Sequence, residues 1–156
     1  KIARAPRVHR LQIGEVDLAA DAGLDPGPDE SELTFVRCMT VLASAAAGIH
    51  PPVGPVSRIT ADPGALAEST ERVRRLGFVG RACIHPAQIP VVHQVFTPAA
   101  REIERAEDVL ARYEAAAAAG SGVVLDADGR LIDPAVIRLA RRTLALAGPG
   151  PDHGKK

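Results

Sequence analysis

Apolar positions along this chain fall into two rhythms, and proline, glycine or aspartate marks each change between them. Val8, Leu11, Ile13 and Val16 form a short apolar stretch that predicts a strand ending near Asp17. Asp25-Pro26-Gly27-Pro28-Asp29 reads as a loop. A helix is expected from Ser31 to about Ala47, with Leu33, Val36, Met39, Thr40 and Ala43 near helical spacing and Gly48 as its stop. Prolines within Ile49 to Val56 allow only a short, irregular strand. Asp62-Pro63 supplies a cap and first residue for the next helix, which carries Leu66, Val73 and Leu76 and ends at Gly77. Phe78 to Ile84 predicts a third strand, and Pro86 to about Val95 a short helix.

Thr97-Pro98 is expected to open a long helix with Ile103, Ala106, Val109, Leu110 and Tyr113 on one face, running into an alanine block that stops at Gly120. Val123 to Leu125 and Arg130 to Ile132 flank Asp126-Ala127-Asp128-Gly129, a β-hairpin pattern. Asp133-Pro134 caps a last helix bearing Val136, Ile137, Ala140, Leu144 and Ala147. The Pro- and Gly-rich tail after Gly148 is expected to be disordered.

Alternation of strand and helix implies an α/β fold with parallel strands and right-handed crossovers. Strand C-termini then share a rim, which would gather Asp17, the Pro52 to Pro55 segment and His85. A complete (β/α)8 barrel needs about 250 residues. The pattern therefore fits the C-terminal part of such a barrel, about three β/α units over 1–96. A helix–hairpin–helix extension over 97–148 and a tail over 149–156 follow.

Aromatic residues make up 3% of the chain and tryptophan is absent, so the core must be aliphatic. The formal net charge is zero and no basic stripe is visible, which argues against a nucleic-acid or membrane-surface protein. The apolar stretches are too short to span a bilayer. Cys38 and Cys83 form no C-x-x-C motif and read as reduced core thiols of a cytoplasmic protein. The histidines lack zinc-type spacing. A start at Lys1, close to a strand-like pattern, suggests that the chain is N-terminally incomplete.

The residues alone leave the chemistry open. Asp17, at a strand end and a helical start, suits either an N-cap or a ligand of a hard cation such as Mg²⁺, which takes one or two protein carboxylates. Glu15 would share its face of the strand and is a weaker metal candidate. His85 suits a general base, a substrate hydrogen-bond donor, or a simple turn residue before Pro86. Capping accounts for Asp133. Gly54-Pro55 allows close backbone approach to a ligand. Phosphate-loop, dinucleotide, nucleophile-elbow and zincin motifs are absent.

Three segments, in order and spacing, resemble one family. They are Gly14-Glu15-Val16-Asp17-Leu18-Ala19-Ala20-Asp21, Leu76-Gly77-Phe78-Val79-Gly80-Arg81-Ala82-Cys83-Ile84-His85-Pro86-Ala87-Gln88-Ile89, and Gly129-Arg130-Leu131-Ile132-Asp133-Pro134. Together they are similar to the C-terminal half of the citrate lyase β-subunit-like CoA-ester lyases of the aldolase/citrate lyase superfamily.

The resemblance implies a TIM barrel entered at its sixth strand, and a Mg²⁺-dependent carbon–carbon lyase acting on citryl-, malyl- or citramalyl-CoA through a metal-stabilised enolate. It implies Asp17 as a metal ligand, with a Glu and a substrate-binding Arg supplied by earlier strands. Asp133 would act in acid/base chemistry at a neighbouring subunit's site in a trimer. His85 and Pro86 would lie on the rim near CoA, with the turn-structural reading of His85 kept level with that role.

The chain departs from the family pattern in three places. Pro52-Val53-Gly54-Pro55 stands where many members carry an Asp, Arg81 stands where Lys is common, and the family's Glu and Arg of earlier strands are expected to lie outside the sequence as given. Two alternatives follow: a catalytically incomplete fragment that binds a CoA-like ligand or a partner subunit, and a malyl-CoA thioesterase on the same scaffold.

Overall fold

The computed structural model describes residues 1–120 and 123–148. The expected disorder of the tail over 149–156 falls outside the described residues. The helices are α1 (Glu15–Ala22), α2 (Thr34–Ala47), α3 (Pro63–Arg75), α4 (Gln88–Phe96), α5 (Ala100–Ala118) and α6 (Pro134–Ala147). Two compact units divide the chain, Lys1–Phe96 and Thr97–Lys156.

In the first unit the caps act locally as the sequence predicts. The Asp62 carboxylate accepts the Ala65 N–H at 3.0 Å, and Pro63 occupies the first turn of α3. Gly48 ends α2 at φ 66°, a left-handed conformation that glycine adopts without a Cβ penalty. Leu66 and Val73 are buried on α3, and Val73 packs with Phe78, Val92 and Phe96 into an aliphatic and aromatic core.

The strands are shorter than expected. Among the described residues pairing is confined to isolated bridges. Gly54 pairs in parallel with Arg81, through Gly54 N–H to Gly80 O (2.8 Å) and Ala82 N–H to Gly54 O (3.1 Å). Val79 N–H to Pro52 O (3.2 Å) continues the same register. Pro52, on the paired side with Gly54, has no N–H to donate to this ladder, which keeps it short. A Cβ on Gly54 would stand 2.6 Å from Val73 Cγ1, so glycine is what lets this segment lie against α3.

The strand expected to end near Asp17 is not formed. The His50 N–H donates to His9 O at 3.0 Å, but helix α1 has already begun at Glu15. Acidic side chains at Glu15 and Asp17 favour a helical first turn, where exposed N–H groups and the helix dipole attract negative charge. Gly14, not Asp17, is the N-cap residue. The core-thiol reading also needs amending, because Cys83 is exposed and Cys38 only partly buried.

The second unit packs α5 against α6 through Ala106, Val109, Ile132, Ile137 and Ala140. Helix α5 starts at Ala100 rather than at Thr97-Pro98, because Glu102 reaches back to accept the Ala99 N–H at 2.8 Å. Between the helices Leu125 and Leu131 form an antiparallel bridge around a turn in which Asp126 accepts the Asp128 and Arg130 N–H groups. No helix among the described residues is long and apolar enough to cross a membrane.

Candidate functional site

The first turn of α1 sets the geometry. Glu15 and Asp17 are two positions apart on a helix and so point in different directions, correcting the shared face expected of a strand. Glu15 is buried and takes both Nε and Nη2 of Arg37 at 2.6 Å, a bidentate pair. This removes Glu15 as a metal candidate, since its two oxygens are already committed. Asp17 is exposed, and its carboxylate folds back so closely that a Cβ on Gly14 would meet Oδ2 at 2.9 Å.

Arg37 also donates from Nη1 to Glu30 Oε2 at 2.9 Å. Glu30 has a left-handed backbone, φ 56°, which a residue with a Cβ adopts at some cost. Its other oxygen accepts Ser69 Oγ–H at 2.8 Å, and Ser69 Oγ in turn accepts from Arg81 Nη1 at 2.8 Å. Burial pushes the Glu30 carboxyl up. Hydrogen bonds from Arg37 and Ser69 and the charges of Arg37 and Arg81 outweigh that and hold it below its ordinary range. Burial likewise works against the charge on Arg37, but the Glu15 and Glu30 contacts prevail and raise it. Arg81 is lowered, chiefly because it is buried.

The His-Pro-x-Gln turn has a different centre from the one its sequence suggests. Gln88, 1% exposed, accepts the Ile84 N–H (2.9 Å) and His85 N–H (3.3 Å) through Oε1. Its Nε2 donates to Ser57 O and Ile59 O at 2.9 Å each. One amide thus ties the turn to the neighbouring segment and satisfies four backbone groups. His85 and Pro86 sit outside it, exposed. The Ala87 N–H donates to His85 Nδ1 at 3.2 Å, which leaves Nε2 to carry the proton of a neutral ring.

Asp133 belongs to the second unit. Its Oδ1 accepts the Ala135 and Val136 N–H groups at 2.8 Å each, capping α6. Oδ2 has no hydrogen bond among the described residues, so capping leaves one oxygen available to solvent or a ligand.

A cavity of about 450 Å³ lies in the first unit, bordered by Glu15, Val16, Ala19, Glu30, Ser57 and Arg81 among others. Neither Asp17 nor His85 lines it. Among the described residues no three metal-ligating side chains gather, so Asp17 offers one hard oxygen ligand rather than a cage. One carboxylate is compatible with Mg²⁺, which completes its shell with other oxygens.

Parallel pairing between two extended segments, with α3 returning between them, defines an α/β protein. The chain belongs to the HpcH/HpaI aldolase/citrate lyase family, whose model matches residues 1–86. It is 33% identical over 141 residues to citrate lyase subunit beta of Escherichia coli (strain K12), covering 90% of this chain and 46% of that protein. It is 35% identical over 147 residues to the (3S)-malyl-CoA thioesterase of Cereibacter sphaeroides, covering 94% of this chain and 51% of the relative. The chain therefore spans about half the length of the curated relatives it matches. The crystal structure of protein CitE from Mycobacterium tuberculosis, in complex with magnesium, acetoacetate and coenzyme A, superposes with a TM-score of 0.73 at 28% identity. That match covers 95% of this chain and 55% of the other.

Proposed function

We propose that this chain is the C-terminal portion of a Mg²⁺-dependent CoA-ester lyase. Its reaction would break the carbon–carbon bond of a 3-hydroxyacyl-CoA of the citryl-, malyl- or citramalyl-CoA type. The observation that carries the reading is the superposition, over nearly the whole chain, on a relative whose structure holds magnesium and coenzyme A. The C-terminal three β/α units of a TIM barrel are the architecture that goes with it.

Asp17 would contribute a carboxylate oxygen to the metal, and its exposed place on the first turn of α1 suits that task. When bound, Mg²⁺ supplies Lewis-acid stabilisation of the negative charge that develops as the carbon–carbon bond breaks. Asp133, from a neighbouring subunit of a trimer, would move one proton through its uncapped Oδ2. The Nε2–H of His85 and the ring of Pro86 would border the CoA moiety as donor and apolar edge. A cytoplasmic enzyme of this kind needs a soluble acyl-CoA and no nucleic-acid or membrane partner.

A second reading, malyl-CoA thioester hydrolysis, is favoured by the 35% identity to the Cereibacter enzyme. The two separate by product. Lyase action on malyl-CoA yields glyoxylate and acetyl-CoA, whereas hydrolysis yields malate and free CoA. Assays of the full-length protein on malyl-, citramalyl- and citryl-CoA, with and without Mg²⁺, should show Mg²⁺-dependent cleavage. Asp17→Ala should reduce that rate by about a hundredfold or more. An Asp17→Ala variant with undiminished activity would remove the metal assignment. Free CoA and malate as the products would replace the lyase with the thioesterase.

A further inference from the structure

Arg37 and Arg81 are both buried, yet they are compensated differently. Arg37 carries two carboxylates. Arg81, 7% exposed, has none in ion-pair contact; it donates from Nε to Pro55 O (3.0 Å) and from Nη1 to Ser69 and Thr70 Oγ1 (2.8 and 3.1 Å). Every one of these partners is neutral. Its Nη2 has no hydrogen bond among the described residues. The nearest counter-charge to Arg81, Glu30, acts on it only across Ser69, so no carboxylate touches its N–H groups.

The cavity of about 450 Å³ opens beside this group. Its two acidic wall residues are already committed. Glu15 is bound to Arg37, and Glu30 to Arg37 and Ser69. The donors left open at the wall are therefore cationic: Arg81 Nη2 on the inside, and exposed Arg58, also a wall residue, at the edge. Val16, Ala19, Leu24 and Ile59 make much of the remaining lining apolar. Val16 and Ala19 lie on a face of α1 that Asp17 does not share, so the space is separate from the proposed metal ligand.

We propose that this cavity is a binding site for a small amphipathic anion, whose carboxylate or phosphate head pairs with Arg81 and whose apolar body packs on Val16, Ala19 and Ile59. Such a ligand would accept from the Arg81 Nη2 group, which no described residue does, and remove apolar wall from water. The site does not depend on the lyase reading, since neither Asp17 nor a metal takes part.

Calorimetric titration of the full-length protein would test it with hexanoate and hexyl phosphate as whole probes. Inorganic phosphate and 1-hexanol serve as their two halves. At least one whole probe should bind more tightly than both halves, and which one wins distinguishes a carboxylate from a phosphate ligand. Arg81→Gln should weaken binding by about tenfold or more, as loss of a charged hydrogen bond does. Because Arg81 also holds Pro55 and α3, two milder variants carry the same test. Ala19→Phe should block binding by filling the space, and Arg58→Ala should weaken it by a few-fold. Asp17→Ala should leave the affinity unchanged. The proposal is overturned if neither whole probe binds, if 1-hexanol binds as tightly as they do, or if folded Ala19→Phe binds them undiminished.

Discussion

The two units of this chain solve the problem of a small interior in opposite ways. Among the described residues of the second unit, α5 and α6 close over small and aliphatic side chains and no charged residue is buried. Lys1–Phe96 has an apolar cluster around Val73 and Phe78 too, but beside it runs a buried chain of charge from Glu15 through Arg37, Glu30 and Ser69 to Arg81. An aliphatic core tolerates small errors, because its contacts are many and non-directional. A buried charge network depends on every member, because one missing partner leaves an uncompensated ion.

The contrast can be broken most forcibly at Arg37. Arg37→Met strands Glu15 and should cost about 3–5 kcal/mol in denaturant unfolding. Adding Glu15→Leu should return part of that loss, and a double variant no better than the single would show that Coulomb pairing is not what Arg37 supplies. Gln88→Ala comes next. It deprives the Ile84 and His85 N–H groups and the Ser57 and Ile59 carbonyls of partners, which should cost about 2–3 kcal/mol.

Acid should titrate the same network. The Glu30 carboxyl is held below its ordinary value of 4.5. Its contribution is therefore fully present above that pH and is lost as pH falls through the lower folded value. Stability measured from pH 6 downward should fall less steeply in Glu30→Gln than in the parent. Equal slopes would place the acid sensitivity elsewhere. At the far end of the scale, Ile137→Val in the second unit should cost only about 1 kcal/mol.

Local chemistry was legible in the sequence wherever a signal and its effect lie within a few residues. Asp62-Pro63, Asp133-Pro134 and Gly48 mark helix ends because the groups they satisfy are their immediate neighbours. Arg37 was not legible. Its partner Glu15 lies 22 positions away, and apolar periodicity assigns an arginine to solvent. The available clue is that Leu33, Arg37 and Ser44 share one helical face, so a charge interrupts the buried stripe of α2.

The first strand is absent because Val16, though it continues the apolar run, already belongs with Glu15 and Asp17 to a helical turn. In the third, burial at Phe78 and Arg81 gives way to exposure from Cys83 to His85. The distinction of Asp17 and Asp133 from ordinary helix-end acids came from resemblance, since spacing alone makes both of them first-turn or capping residues. Gln88 stood in plain view beside His85, but a histidine draws chemical attention that a glutamine does not. The structure gives the glutamine the organising role in that turn.

The left-handed backbone at Glu30 has a consequence for sequence drift. Glycine would occupy that conformation freely, yet it would remove the carboxylate that joins Arg37 to Ser69. Gain and loss would fall on one residue with opposite signs. A Glu30→Gly change would relieve about 1 kcal/mol of backbone cost and forfeit more than that in hydrogen bonds to Arg37 and Ser69, so the variant would be less stable at neutral pH and would lose the built-in acid response. Two lineages differing there would be told apart by stability at neutral pH and would converge in an acidified environment.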